Sequence, residues 1–178
     1  MRKIIGCIIL LVALIGVSCQ DTPKVTEQKK VRIFPEYDEL LDEIIRSKDG
    51  VIRGLDLNSK GLEITKTETN QPSDVDHDYL YFEYSIDSVT NYSVTYNLEK
   101  DSLDEVAVQI NCNDLDLSNK LFTDLKTYYE KKMPNPTEDK GYVVYNCFEG
   151  QRKPFVVSLT DNSTPNKGII NLVIYKDK

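Results

Sequence analysis

The chain of 178 residues holds a single histidine, His77. One imidazole excludes a His-rich zinc site, and any Ser-His-Asp or Cys-His arrangement would have to be built on it. His77 lies in an acidic stretch, SDVDHDY (73–79). The chain has no G-x-S-x-G elbow, no Walker loop and no dinucleotide fingerprint, and Gly54 and Gly61 stand isolated. Positive charge is also short. Lys and Arg number 22 against 29 Asp and Glu, with no basic stripe interleaved with aromatics. An acidic chain repels phosphate backbones, so nucleic acid is excluded as a partner.

Long apolar runs are equally few. One opens the chain, in MRKIIGCIILLVALIGVSCQD, where residues 4–17 follow the basic Arg2 and Lys3 and stop at Ser18-Cys19. Its length suits a secretory h-region and falls short of a comfortable membrane span. With the small Gly16 and Ser18 before Cys19, this text resembles a bacterial lipoprotein signal, in which cleavage leaves a cysteine as the first mature residue. That family usually has leucine three residues before the cysteine, where this chain has Gly16. The resemblance implies lipidation of Cys19 and a place in the bacterial cell envelope, periplasmic or surface-facing. Membrane lipid would be held through Cys19 without a spanning helix. The alternative is an ordinary secretory signal or an uncleaved anchor, with Cys19 incidental. Each buried methylene contributes about 0.8 kcal/mol, so several acyl chains make a stable anchor.

On this reading 1–18 is a signal peptide, 19–32 a polar tether and 33–178 a single domain. Removing 1–18 takes Arg2 and Lys3 and moves the formal charge from −7 to −9. Lys29, Lys30 and Arg32 form a small basic group at the tether's end, read as solvated linker or, alternatively, as a contact for anionic lipid.

The domain text alternates helix and strand signals. FPEYDELLDEIIRSKDG carries Tyr37, Leu40, Leu41, Ile44 and Ile45 at helical spacing, which predicts a helix at about 35–48 stopped near Gly50. LDLNSK (55–60) and LDLSNK (115–120) then say nearly the same thing twice. Each reads as a helix start, with Asn58 or Ser118 as N-cap and Leu57 or Leu117 packing on Leu62 or Phe122 as a hydrophobic staple. Three runs of period two follow each copy. These are YLYFEYSI, YSVTYNL and DEVAVQINC, then GYVVYNCFE, PFVVSLT and GIINLVIY. The expected fold is α+β, an antiparallel sheet with helices on one face. It would be built from two α-β-β-β repeats (about 51–112 and 113–176) plus the N-terminal helix.

This order is similar to beta-lactamase-inhibitor-protein-like domains and to small outer-membrane-assembly lipoproteins, over roughly 51–176. Those families often place Gly-x-x-x-Gly before the helix; RGLDLN keeps Gly54 but has Asn58 at the second position. A binding role is implied by analogy alone.

Four features remain as candidate sites. Asp74, Asp76 and Asp78 are spaced D-x-D-x-D, as in a calcium loop, but Tyr79 and Ser85 stand where an EF-hand needs Gly and Glu. A different calcium loop, or a plain acidic turn, remains. Otherwise no cofactor is expected. Cys112 and Cys147 lie in strand-like text and read as a disulfide or as two buried thiols. Tyr79, Tyr81, Glu83, Thr95 and Gln109, with Asn111, fall opposite the apolar stripe and suit protein recognition or an ordinary solvated sheet. In the last strand Ile170, Leu172 and Ile174 face one way and Ile169, Val173 and Tyr175 the other. Such a strand is central and covered on both faces, or else exposes a partner site.

These features point away from an enzyme. They suggest a membrane-anchored envelope lipoprotein whose domain binds another envelope protein or a surface ligand. The alternative is a carboxylate-based hydrolase of envelope polysaccharide, which two acidic side chains could serve without histidine.

Overall fold

The computed structural model describes residues 31–133, 135–146 and 154–177. In chain order these form α1 (Glu39–Ile45), α2 (Gly61–Thr67), β1 (Asp74–Val75), β2 (Tyr79–Ser85), β3 (Thr90–Glu99) and β4 (Ser102–Cys112). There follow α3 (Leu115–Lys132), β5 (Thr137–Asp139), β6 (Tyr142–Asn146), β7 (Phe155–Asp161) and β8 (Gly168–Lys176).

The expected α+β class is corrected. Strand dominates: one eight-stranded antiparallel sheet runs β1-β2-β3-β4-β8-β7-β6-β5, and two of the three helices have only seven residues. The α-β-β-β repeat is corrected with it. Each half is a four-stranded meander, and the two join where β4 pairs with β8, Glu105 opposite Tyr175 and Cys112 opposite Gly168. The sequence reading missed β1 and β5, which have two and three residues and carry almost no periodicity. Both are exposed and bear acidic groups, as suits sheet edges that must not pair with other chains.

The helices are shorter than their apolar stripes suggest because polar groups set their ends. Asp38 caps α1, its carboxylate accepting from the Leu40 N–H at 3.0 Å. Arg46 ends α1 in the left-handed region (φ 57°), well before Gly50. The repeated phrase is not one structural word. LDLSNK lies inside α3, behind the Asp114 cap, which accepts from the Asp116 and Leu117 N–H groups. LDLNSK is loop; Asn58 is left-handed (φ 88°), and α2 starts after Lys60, whose N–H donates to Glu63. Neither Asn58 nor Ser118 is an N-cap. Two adjoining carboxylates, Asp114 and Asp116, favour the early start of α3 at the positive end of its dipole.

One sheet face holds the core. Leu80, Phe82 and Tyr84 of β2 sit beside Tyr92, Val94 and Tyr96 of β3, then Val106, Val108 and Ile110 of β4. The rows continue through Ile174, Leu172 and Ile170 of β8, Val157 and Leu159 of β7, and Tyr145 and Val143 of β6, all buried. All three helices lie on this side. The Tyr92 hydroxyl donates to the Glu43 carbonyl of α1 and the Tyr145 hydroxyl to Lys126 of α3; the Tyr84 hydroxyl donates to Glu68, directly after α2.

The N-terminus of α3 comes very close to β8. A Cβ built on Gly168 would lie 2.3 Å from Ser118 Cβ. Only glycine allows this approach, so Gly168→Ala should destabilise the fold by about 1–3 kcal/mol. Urea unfolding measures it, and the coupling is specific: in a Ser118→Gly background the same substitution should cost less. An equal cost in both backgrounds would show that the contact is not the cause.

Candidate functional site

Among the described residues no helix covers the sheet face opposite α1, α2 and α3. Tyr79, Tyr81 and Glu83 of β2 lie on it, opposite Asn97, Thr95 and Ser93 of β3. These in turn face Glu105, Ala107 and Gln109 of β4. The five residues read from sequence as a binding face therefore share one surface. Short polar links run along it: the Tyr81 hydroxyl donates to Glu83 at 3.0 Å and the Asn97 amide to Glu105 at 2.7 Å.

The face continues past the midline. The row of Tyr81, Thr95 and Ala107 runs on through Val173, Ser158 and Val144. The row of Tyr79, Asn97 and Glu105 runs on through Tyr175, Val156 and Asn146. The second half is more apolar than the first. β8 is central, but among the described residues no helix covers its second face, and Ile169, Val173 and Tyr175 are half-buried rather than enclosed.

The acidic turn does not gather the three aspartates. Asp74 accepts from the Tyr79 hydroxyl at 2.5 Å. The group that converges is Asp76, His77 and Asp78, all exposed. His77 Nδ1 lies 2.8 Å from a carboxylate oxygen of each neighbour. The hydrogen bond to Asp76 and the charge of Asp78 push the His77 imidazole up, and the same bond pulls Asp76 down. The turn thus favours a proton on His77, which a cation would have to displace.

Cys112 is a free thiol, buried at 1 % exposure on the core side. Burial pushes its ionisation up, so it is a poor nucleophile. Cys147 and Cys19 lie outside the described residues. Asn146, the last described residue of β6, shares a row with Glu105, seven positions along β4 from Cys112.

Sequence reasoning missed a buried charged cluster. Glu68, just after α2, accepts from Arg53 Nε and Nη2 at 2.7 Å each and from Arg46 Nη1 at 2.8 Å. The Tyr84 hydroxyl donates to it at 2.5 Å, and the Tyr96 hydroxyl donates to its other oxygen. Arg53 is 1 % exposed and Glu68 7 %. Burial alone would raise the Glu68 carboxyl, but the Arg53 hydrogen bonds and charge, aided by the tyrosines, hold it below its ordinary range. Both arginines have left-handed backbone, φ 57° and 54°. Such a carboxylate has no vacant oxygen for proton transfer, so its role is structural. Nothing in the sequence singles out Arg53 or Glu68; the nearest signal is the Arg53-Gly54 pair in a turn.

Removing the charge by Glu68→Gln leaves Arg53 buried without its counter-ion and should cost about 3–5 kcal/mol in urea unfolding. The pH dependence has a definite sign. With its folded ionisation lowered, Glu68 stabilises fully above the ordinary glutamate value of about 4.3. That contribution drains as pH falls through the lowered folded value. Wild-type stability should therefore fall steeply below about pH 4, and the Glu68→Gln profile should be flatter there. Parallel profiles would sink this assignment. In comparisons with known proteins, no family model, curated protein or solved structure matches the chain.

Proposed function

We propose that this protein is a bacterial envelope lipoprotein, anchored through Cys19, whose folded unit binds another envelope protein or surface ligand without catalysis. The observation that carries the reading is the open sheet face. It joins tyrosines and small polar groups of the first half to the more apolar strip of the second. A surface rich in Tyr with adaptable polar neighbours suits recognition.

Two measurements test this. Cys19→Ser should move the protein from the membrane fraction to the soluble fraction, and mass spectrometry of the native N-terminal peptide should find acylated Cys19. Photo-crosslinking residues placed at Tyr81, Thr95 and Gln109 should capture one envelope component in living cells. The same crosslinker at Leu62, exposed on the helix side, should not. Capture only from position 62, or from none, would overturn the face assignment.

A further inference from the structure

The helix side of the molecule carries an arrangement that the open face does not use. Phe34, Tyr37 and Tyr128 form an aromatic cluster, with ring centroids 5.3 Å (Phe34–Tyr128) and 6.3 Å (Tyr37–Tyr128) apart, both edge to face. A lysine sits over each ring. Lys48 Nζ lies 5.8 Å from the Phe34 centroid, Lys131 4.8 Å from Tyr37 and Lys132 4.5 Å from Tyr128. All three lysines are exposed. Among the described residues none of them has a carboxylate within ion-pair distance, whereas Lys120, Lys126 and Lys176 each do. Asp49 and Glu36 are the acidic groups that act on Lys132 and Lys131, through space rather than by contact.

The described chain begins beside this cluster. Arg32 is pinned beneath the cluster, its Nε on Asp42 at 2.5 Å and its Nη2 on the Tyr37 carbonyl at 2.9 Å. Lys29 and Lys30 precede Val31 in the sequence, and residues 20–30 separate the folded unit from Cys19. A stretch of that length reaches at most about 40 Å. A lipid-anchored domain would thus be held close to the bilayer, within a few Debye lengths.

We propose that Lys48, Lys131 and Lys132 form a seat for anionic phospholipid headgroups, which sets the helix side against the membrane and turns the open sheet face outward. The inference rests on the anchored reading of Cys19. Charge selects the orientation. The mature chain carries a formal −9, so an anionic bilayer repels most of its surface. The lysine cluster beside the tether is the side that such a bilayer attracts. Each ammonium lies over a ring face while its side chain stays exposed, so headgroup phosphates can reach it; Lys132 is the most shielded of the three, and burial pulls its ionisation down.

The test uses the full lipidated protein in two kinds of vesicle, neutral phosphatidylcholine and phosphatidylcholine with about 30 mol% phosphatidylglycerol. Amine acylation is followed lysine by lysine by mass spectrometry. On anionic vesicles Lys48, Lys131 and Lys132 should label several-fold more slowly than on neutral ones, while Lys100 and Lys167 in the sheet's turns should not change. The protection should vanish in about 0.5 M salt, where screening shortens to a few ångströms. Equal labelling on both vesicles, or protection of every lysine alike, overturns the seat while leaving the anchor intact. A native N-terminal peptide with unmodified Cys19 overturns the anchor and the seat together.

Discussion

One carboxylate organises the first half of the molecule. Glu68 is reached by donors from four places, namely the end of α1 (Arg46), the turn after it (Arg53), β2 (Tyr84) and β3 (Tyr96). Arg53 does a second task with the same guanidinium. Its Nη1 donates to the Glu43 and Ile44 carbonyls, which belong to the last turn of α1 and lack intrahelical donors. The left-handed backbone at Arg46 and Arg53 costs roughly 1–2 kcal/mol per residue and is tolerated because several partners hold each side chain. A well-packed apolar substitute for the whole cluster could be as stable. A partly assembled cluster could not, since an unpaired buried charge is far costlier than an unpaired apolar side chain. The cluster therefore penalises every packing that separates α1, α2 and the sheet.

That constraint explains why the other sheet face can stay open. The cluster holds α1 and the residue after α2 to one side of the sheet, and among the described residues no helix covers the other. A single-covered antiparallel sheet is stable when its bare face is polar or only half-buried. The first half meets that condition with Ser, Thr, Asn, Gln and hydroxyl-bearing Tyr. The second half meets it less well, with Val144, Val156, Val173 and Ile169 on the same surface. Val156 and Ser158 are nonetheless buried, at 5 % and 6 % exposure. At β7 the strip is therefore already shielded from water, and a partner would gain from exclusion of water only at its half-buried members, Val144, Val173 and Ile169.

The strands were legible in the sequence because period two is a direct consequence of one-sided burial. Phe82 and Val94 alternate with polar neighbours because the chain has one core face, and Val108 and Leu172 keep the same period beside Ala107 and Val173. The five residues of the candidate face followed from the same alternation. What was illegible depended on partners distant in sequence. Helix boundaries were set by Asp38, Asp114 and the left-handed Arg46, and residue type alone does not say which of several polar groups will cap. The near-identical LDLNSK and LDLSNK misled for this reason: Asp114 precedes one copy, while Gly54 precedes the other. Arg53 and Glu68 were invisible because charged residues are almost never fully buried unless paired, and the pairing spans 15 residues of loop and helix.

The strand order is symmetric about the β4–β8 junction, but the two halves hold themselves together by different physics. Both halves pack aromatic rings, Tyr84 on Tyr92 at 4.7 Å in the first and Tyr128 against Tyr129 at 5.1 Å and Tyr129 against Tyr145 at 5.9 Å in the second, but only the first adds the buried Glu68 cluster. The hydroxyls of Tyr128 and Tyr129 are buried without a hydrogen-bond partner among protein groups, whereas Tyr145 donates to Lys126. A buried hydroxyl left unpaired costs about 1–3 kcal/mol, so ring packing in this half must outweigh a polar penalty; the first half carries buried unpaired hydroxyls of its own, at Tyr37 and Thr90. Shared strand order with unlike cores means that the topology does not depend on either solution. It depends on what both halves have in common: alternating strands long enough to join at β4 and β8, with the helix layer confined to one side.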